Sequence, residues 1–288
     1  MLVLSPPRSP VLLQLFQGVV IVMPEPRYNR TNGNPELINF LKLLPNLTYS
    51  NFNHAAKYKK DYIDPSQYLD VIHKIRFELR YYAESSTGSK GTSVMETVNE
   101  QGFCFTFISN VAVFNSYQYV TSNLWDEHHE GNAVASNYLS DDEISLSDMN
   151  SGAEVYVHSP DEPAQMTSRV ATVGPSERAH VYLQATAVRA SPEVWGLRLA
   201  QRRCRFPWES PLPTTPVYSY AACRIYCRLL LARRLCGCAP HFYKRTGNTP
   251  LQTCNPFALA SLGSCARESG AINHPSLARM TLVIHTNI

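Results

Sequence analysis

The chain has 288 residues, of which 44% are hydrophobic and 17% are charged, and its formal net charge is +3. This length can form one large domain or two modest ones around a substantial core. So small a net charge argues against a nucleic-acid-binding protein. Twenty prolines and sixteen tyrosines favour short strands and turns over a helical bundle.

Charge is unevenly distributed along the chain. Segment 126–162 contains ten acidic residues and no lysine or arginine, whereas segment 198–245 contains ten basic residues and one acid, Glu209. Two solvated surfaces are the simplest interpretation. The alternatives are that the two segments face each other, or that the acidic one collects cations.

The first 35 residues are expected to be poorly ordered, or to be the remnant of a signal or membrane segment. Their apolar run, 11–23, contains two glutamines and is shorter than the roughly 20 apolar residues that span a bilayer. A poor signal-peptide core, a remnant of a membrane helix and a buried strand all remain open. The sequons at Asn29 and Asn46 are typical of a glycosylated extracellular chain.

Two helices are predicted next. Segment 35–44 predicts a short helix, and 65–82 predicts a longer, partly amphipathic one with Asp64 as its N-cap. A Ser/Gly-rich loop is expected at 85–93. The compact aromatic run 102–107 then predicts a strand, and the polar, acidic segment 125–152 predicts a surface excursion.

Strands are predicted to return after this excursion. Alternating patterns predict strands at 154–158, 180–188 and 197–206, with a turn at 159–161. The prolines of 207–216 exclude regular structure. A helix is then predicted from an N-cap at Ser219 to about Leu235, and Gly237 can end it.

Seven of the eight cysteines lie between Cys204 and Cys265. This density predicts a disulfide framework in an oxidising compartment. Cys223 and Cys227 would share one helix face, where they could tether neighbouring elements or remain buried thiols. Cys236 and Cys238 flank a single residue, so their side chains point apart and cannot easily pair. Their nearest downstream candidates are Cys254 and Cys265.

Metal and catalytic sites are weaker interpretations. A zinc site from Cys236, Cys238, Cys254 and Cys265 is possible, but structural zinc sites usually have two residues between paired cysteines. His128 and His129, between Glu127 and Glu130, fit a solvated loop better than a metal site. The sequence contains no phosphate-binding glycine loop, G-x-S-x-G or H-E-x-x-H motif. His241 lies near Cys238, but most thiols are expected to be oxidised. We therefore predict no enzyme, cofactor or metal.

Four separate elements together resemble one known family. The pattern Tyr218-Ser219-x3-Cys223-x3-Cys227-x8-Cys236-Gly237-Cys238-x-Pro240-x2-Tyr243 resembles the cysteine-rich extracellular signature of the degenerin/epithelial sodium channel family. The segment 203–206 with Glu209 resembles the stretch before that signature. Gly102 to Phe107 is similar to the family's Gly-x-Cys-Tyr-Thr-Phe-Asn element, and 155–163, with His158 and Pro160, resembles its strand and turn. The resemblance covers about 60–265 and best fits the insect pickpocket branch.

The resemblance implies an α+β fold: a β-rich, disulfide-stapled channel ectodomain with a palm and ball sheet, a finger and a helical thumb. Segment 36–217 would hold palm, ball and finger, 218–265 the thumb, and 266–288 is unassigned. The implied function is gated, amiloride-sensitive-type passive sodium transport by homo- or heterotrimers of related subunits. The implied location is the extracellular side of the plasma membrane, with secretion of this chain as the alternative.

The resemblance also implies disulfides joining Cys236 to Cys265 and Cys238 to Cys254. Cys104, Cys204, Cys223 and Cys227 would lack their family partners, and the family's second membrane helix has no counterpart here. We therefore expect a truncated chain that carries the ectodomain and no pore. The alternative is a secreted, disulfide-rich binding module without channel activity.

Overall fold

The structure is a computed structural model that describes residues 18–22, 34–58, 62–76, 80–85, 94–107, 109–121, 142–147, 153–159, 161–165, 170–174, 192–202, 205–206, 209, 212–243 and 252–268. These ranges combine helices and strands, with two small sheets and a disulfide, and are compatible with the predicted α+β class. None of the helices in these ranges is long and apolar enough to cross a lipid bilayer.

A five-stranded antiparallel sheet organises the described chain. Its strands are β1 (Gly18–Val22), β3 (Val94–Asn99), β4 (Gly102–Phe107), β6 (Ala153–His158) and β7 (Val170–Val173). Their order across the sheet is β3-β4-β1-β6-β7. A separate pair joins β2 (Arg80–Ser85) to β5 (Asp142–Ser147). Strand β1 therefore separates β4 from β6, although it comes first in sequence.

Strand β4 is buried on both faces, as its aromatic sequence predicts. Phe103, Phe105 and Phe107 recur with the two-residue period of a strand and join the main hydrophobic core. Cys104 lies on the opposite face, in a smaller cluster with Tyr156 and Ala164. The sheet thus separates a large aromatic core from a small, partly polar one.

Helices cover the main-core face of the sheet. They are α1 (Pro35–Leu43), α2 (Tyr68–Ile75), α6 (Tyr220–Cys236) and α7 (Pro256–Glu268), together with 3₁₀ turns at Leu44–Asn46 and Phe52–Lys57. The remaining short helices are α3 (Tyr117–Thr121), α4 (Pro192–Trp195) and α5 (Leu199–Arg202), with 3₁₀ turns at Pro65–Gln67 and Ala112–Asn115. The fully buried side chains of Phe40, Phe52, Leu229, Leu259 and Leu262 fill the space between helices and sheet. Side chains from the N-terminal helices and from the C-terminal helices α6 and α7 therefore share one core.

The structure corrects two expectations in the N-terminal half. Residues 18–22 are not poorly ordered, because they form β1, which pairs with a neighbouring strand on each side in the sheet. Of the three alternatives for segment 11–23, the structure therefore favours a strand over these five residues. The helix predicted over 65–82 stops at Ile75, where Arg76 turns to an extended ψ of 151°. Its last predicted residues lie in β2 and pair with β5. Asp64 caps the 3₁₀ turn Pro65–Gln67 that precedes α2, where its carboxylate accepts from the Ser66 amide at 2.7 Å. Helix α2 itself begins at Tyr68, without a side-chain cap.

Two further expectations change in the middle of the chain. The surface excursion at 125–152 contains a strand, β5, over its described residues. The strand predicted at 197–206 is wrong, because 199–202 form α5. Local hydrogen bonds stabilise this short helix. The Arg198 amide donates to the Gln201 side chain at 3.0 Å, and Arg202 Nε donates to the Leu197 carbonyl at 3.1 Å. The strand predicted at 180–188 lies outside the described residues.

The helix predicted after Ser219 is confirmed. The Ser219 hydroxyl accepts from the Ala222 amide at 3.1 Å, which caps the first turn of α6. Gly237 ends the helix in the left-handed conformation, with φ of 65°, and its amide donates to the Arg233 carbonyl at 3.0 Å. Helix α7 was not predicted, although Pro256 begins it and Asn255 accepts from the Ala258 amide at 3.0 Å.

Gly102 should be intolerant of any side chain. Its φ is +93°, and a Cβ there would lie 2.5 Å from the Pro45 carbonyl oxygen. We expect Gly102→Ala to lower the free energy of unfolding by at least about 1–3 kcal/mol, measured by urea denaturation. Gly196→Ala is the matched control, because nothing lies within 4 Å of its added Cβ. Equal effects of the two substitutions would contradict the expectation.

Candidate functional site

A buried ion pair joins the sheet to helix α6. Arg228 donates from Nε and Nη2 to the two carboxylate oxygens of Glu100, both at 2.5 Å. The two side chains are only 6% and 1% exposed, so solvent screens this pair little. Burial opposes the charged form of Arg228, but the adjacent carboxylate raises its pKa above the usual value. Arg228 is therefore charged at neutral pH.

Two tyrosines complete the hydrogen bonding of this pair. Tyr243 donates its hydroxyl to Glu100 Oε1 at 2.5 Å, and the Tyr49 hydroxyl lies 2.9 Å from that of Tyr243. Because the Tyr243 proton is already committed, Tyr49 is the donor between the two. Burial, and then the Glu100 carboxylate, raise the pKa of Tyr243, so its hydroxyl stays protonated. Burial likewise raises the pKa of Tyr49.

Local structure presents the two charges to each other. Glu100 and Gln101 form the two-residue turn between β3 and β4, and the Gln101 amide donates to Asn99 Oδ1 at 2.8 Å. Arg228 lies on the inner face of α6 with Ala221 and Ala232. Gln165 is also near, with its side-chain oxygen 3.5 Å from Arg228 Nη2. The pair thus forms where a hairpin turn meets the helix face.

A disulfide fixes the segment that carries Tyr243. It joins Cys238 to Cys254, the second of the two pairs implied by the resemblance, with a Cα–Cα distance of 5.0 Å. Beside it the Ala239 amide donates to the Gln252 carbonyl at 3.0 Å, and the Cys254 amide donates to the Ala239 carbonyl at 2.9 Å. The chain leaving α6 is therefore held against the chain entering α7.

The first implied pair is only partly within the described side chains. Cys236 is the last residue of α6, and position 265 lies in α7, the helix that follows the disulfide. The side chain of Cys265 is outside the described set. A bridge between Cys236 and Cys265 therefore stays a prediction.

The remaining cysteines fall in different surroundings. Cys104 is a fully buried thiol whose pKa is raised by burial, and it donates to the Gly102 carbonyl at 3.4 Å. Cys223 and Cys227 are thiols on α6, where Cys227 is exposed and hydrogen-bonds with Cys223. Cys204 lies outside the described residues. The structure thus joins neither helix cysteine to a described neighbour by a disulfide.

The other motif residues have mostly structural surroundings. Ser219 and Gly237 cap α6, Phe107 is in the core, and Tyr218 lies beside Cys223. Pro240 is buried, and its carbonyl accepts from the Tyr243 amide at 3.1 Å. His158 ends β6. Pro160 and the sequon residue Asn29 are outside the described ranges, while Asn46 is half-buried at the end of a 3₁₀ turn. Glycosylation of either asparagine stays a prediction.

The zinc alternative does not fit the geometry. Two of its four proposed ligands, Cys238 and Cys254, are bonded to each other. Among the residues that the structure describes, no group of three His, Cys, Asp or Glu side chains could hold a metal ion. His128 and His129 lie outside those residues.

Sequence reasoning missed Glu100, Arg228 and Tyr49 as members of one site. A signal for Arg228 was present, because it shares a helix face with Ala221, Ile225 and Ala232 at spacings of four, three and four residues. A charge on an apolar helix face requires a buried partner. No comparable signal marks Glu100, since an acidic residue in a hairpin turn is ordinarily solvated.

Comparison with known proteins identifies the family. Residues 23–270 match the amiloride-sensitive sodium channel family. The chain belongs to this family. The match covers β3, β4 and α6, which carry the buried ion pair, and the disulfide that fixes the segment with Tyr243. The family consists of ion channels and not enzymes, which supports the expectation that the chain is not an enzyme.

A curated relative places the chain near the pickpocket proteins. Pickpocket protein 11 of Drosophila melanogaster is 32% identical over 142 residues, which is 49% of this chain and 25% of that protein. The alignment therefore spans a quarter of the relative's length. The family match and this alignment agree, and the chain is similar to this pickpocket protein over about half of its own length.

The ion pair should be far more important for stability than a surface pair of the same chemistry. Removing one partner leaves an uncompensated buried charge, so we expect Arg228→Met or Glu100→Gln to cost about 3–5 kcal/mol. The double variant should recover part of that loss. Arg76 and Glu96 form the control pair, at 2.8 Å with side chains 30% and 34% exposed. Removing Arg76 should cost less than about 1 kcal/mol. Urea denaturation of one double-mutant cycle for each pair, Arg228 with Glu100 and Arg76 with Glu96, measures the two coupling energies. Similar coupling energies for the two pairs would contradict the expectation.

His241 should make the fold sensitive to acid. Its ring is buried against Tyr68 and Phe242, and neither nitrogen has a hydrogen-bond partner among the described residues. Burial lowers its pKa to about 3. The unfolded chain takes up a proton below about pH 6.5, which the folded chain resists. Stability due to neutral His241 is thus complete above pH 6.5 and is lost as the pH falls towards 3, by up to about 1.4 kcal/mol per pH unit.

The test compares stability at several pH values between 7 and 4. We expect His241→Phe to be less sensitive to acid than the parent chain, because phenylalanine fills a similar volume without a titrating group. Phe242→Leu is the control, because it should weaken the core equally at every pH. Parallel stability curves for the parent and His241→Phe would refute this role.

Disulfide mapping tests the covalent site. Non-reducing peptide mapping should recover Cys238 linked to Cys254, and we expect Cys236 linked to Cys265. Replacing both Cys238 and Cys254 with serine should destabilise the fold by about 3 kcal/mol, because the bridge closes a loop across 16 residues. Recovery of these cysteines as thiols with stoichiometric zinc would instead support the metal site.

Proposed function

We propose that this chain forms extracellular-domain structure of a gated, amiloride-sensitive-type sodium channel that works as a trimer with related subunits. In this proposal the five-stranded sheet belongs to the palm and ball, and α6 and α7 belong to the thumb. The family match over residues 23–270 is the observation that carries the proposal. The extracellular placement is supported by the disulfide, since such bonds persist in oxidising compartments.

The proposal gives the chain a structural role in the channel and not a conducting one. A selectivity filter lines the conduction path at membrane depth, and the apolar runs of the 288 residues are shorter than a bilayer requires. We therefore expect these 288 residues, expressed without other subunits, to give no sodium current. A robust current from them in cells lacking related subunits would contradict this role.

A chimera tests the proposal directly. In a conducting pickpocket-family subunit, the region that matches residues 23–270 is replaced by those residues, and whole-cell currents are recorded in sodium solutions with and without amiloride. We expect an amiloride-sensitive sodium current, because the transplanted domain keeps its own buried contacts. The Glu100→Gln variant of the chimera should lose most of its current, whereas Arg76→Met should keep it.

Surface labelling separates the possible failures. A chimera that reaches the cell surface, folds and yet conducts nothing would count against a channel role. The alternative, a secreted binding module, has its own outcome: the 288-residue chain would collect in the medium and would not co-purify with pickpocket-family subunits. Cell-surface retention together with those subunits would favour the channel assembly.

A further inference from the structure

A small cavity lies on the face of the sheet opposite the main core. Its volume is about 10 Å³, and six of its lining residues are polar: Thr97, Asn99, Thr106, Ser109, Asn115 and His158. Such a space is at the lower limit for holding one water molecule, and a water needs two to four polar partners. The cavity is thus matched in size and polarity to a single small guest.

The ring of His158 has a fixed proton arrangement. Its Nδ1 lies 2.7 Å from the Ser159 carbonyl oxygen, which can only accept. Nδ1 therefore carries the proton, and in the neutral ring Nε2 presents an unshared electron pair. Burial lowers the pKa of His158 and so favours this neutral form. The Glu162 backbone also lies within hydrogen-bonding range of the ring, but Nε2 is buried and makes no hydrogen bond of good geometry to the described residues.

A hydroxyl pair across the cavity can supply the other contacts. Thr97 Oγ1 and Thr106 Oγ1 lie 2.9 Å apart on β3 and β4, and both residues are buried. One hydroxyl proton is used between them, which leaves the second proton and the oxygen lone pairs. A guest that both donates and accepts hydrogen bonds would satisfy the threonines and His158 together.

We propose that this cavity binds one ordered water molecule, which donates a hydrogen bond to Nε2 of His158 and bridges it to the Thr97–Thr106 hydroxyl pair. A buried acceptor without a donor costs free energy, and a bridging water removes that cost. A transition metal fits less well, because the polar lining offers hydroxyl and amide groups and His158 is its sole imidazole. The water links the turn after β6 to the far edge of the sheet.

Nuclear magnetic resonance of the full chain, labelled with ¹⁵N-histidine, tests the proposal. We expect the His158 spectrum to show a protonated Nδ1 and an unprotonated Nε2 that is shielded by a hydrogen bond. A long-lived water should show nuclear Overhauser contacts to the His158 ring. Either a protonated Nε2 or the absence of such a water in the folded chain would overturn the proposal.

Paired variants test the bridge itself. Replacing Thr97 and Thr106 with valine keeps the side-chain shape and removes both hydroxyls, so the water contact should be lost and Nε2 should shift to the position of a free lone pair. Thr121→Val is the control, because its hydroxyl is exposed and bonds to the Tyr117 carbonyl at 2.7 Å. It should change neither signal. If the double variant does not fold, the parent spectrum decides.

Equimolar zinc distinguishes a metal from a water. We expect zinc to leave the Nε2 resonance of His158 unchanged. A zinc-dependent shift of that resonance, abolished by His158→Asn, would replace the water with a metal site and overturn the proposal. Asparagine is chosen because its amide can still donate to the Ser159 carbonyl in place of Nδ1.

Discussion

The buried pair of Glu100 and Arg228 is the interaction on which the rest of the structure depends. Two charges removed from water stabilise a fold only when their geometry is good and their remaining hydrogen-bonding capacity is used. Here the pairing is bidentate, and Tyr243 and then Tyr49 extend it. The four residues come from four separate parts of the chain. Their positions must therefore be correct together, since one misplaced member leaves a charge without its partner.

Several features of the surrounding chain hold the members of the pair in position. Gly237 turns the chain at the end of α6, and the Cys238–Cys254 bridge holds the following segment, so Tyr243 reaches the carboxylate. Phe242 packs against Phe52 at 6.0 Å and against Tyr49 at 6.0 Å, which anchors the same segment in the core. On the other side, Gly102 lets the β3–β4 hairpin approach Pro45. Local conformational requirements and the long-range charge pair are thus satisfied at the same place.

Sequence predicted what depends on short-range chemistry. The cap at Ser219, the stop at Gly237, the cap at Asp64 and the aromatic strand at Gly102–Phe107 all follow from side chains within a few residues. What it missed depends on distant partners. The central position of β1 depends on pairing with β4 and β6, and Glu100 meets Arg228 across 128 residues. The failed strand at 197–206 had an apolar pattern too short to separate a strand from helical turns.

The same geometry constrains how a channel subunit built on this domain can move. Sliding α6 along the sheet by one turn, about 5.4 Å, would separate the guanidinium from the carboxylate and leave both buried without a partner. That state is strongly disfavoured, because each uncompensated charge costs several kcal/mol. In the proposed channel, the sheet, α6 and the disulfide-held segment would therefore move as one body. Any conformational change would then occur at the edges of this body, where contacts such as Arg76–Glu96 are partly exposed to solvent and cost less free energy to break.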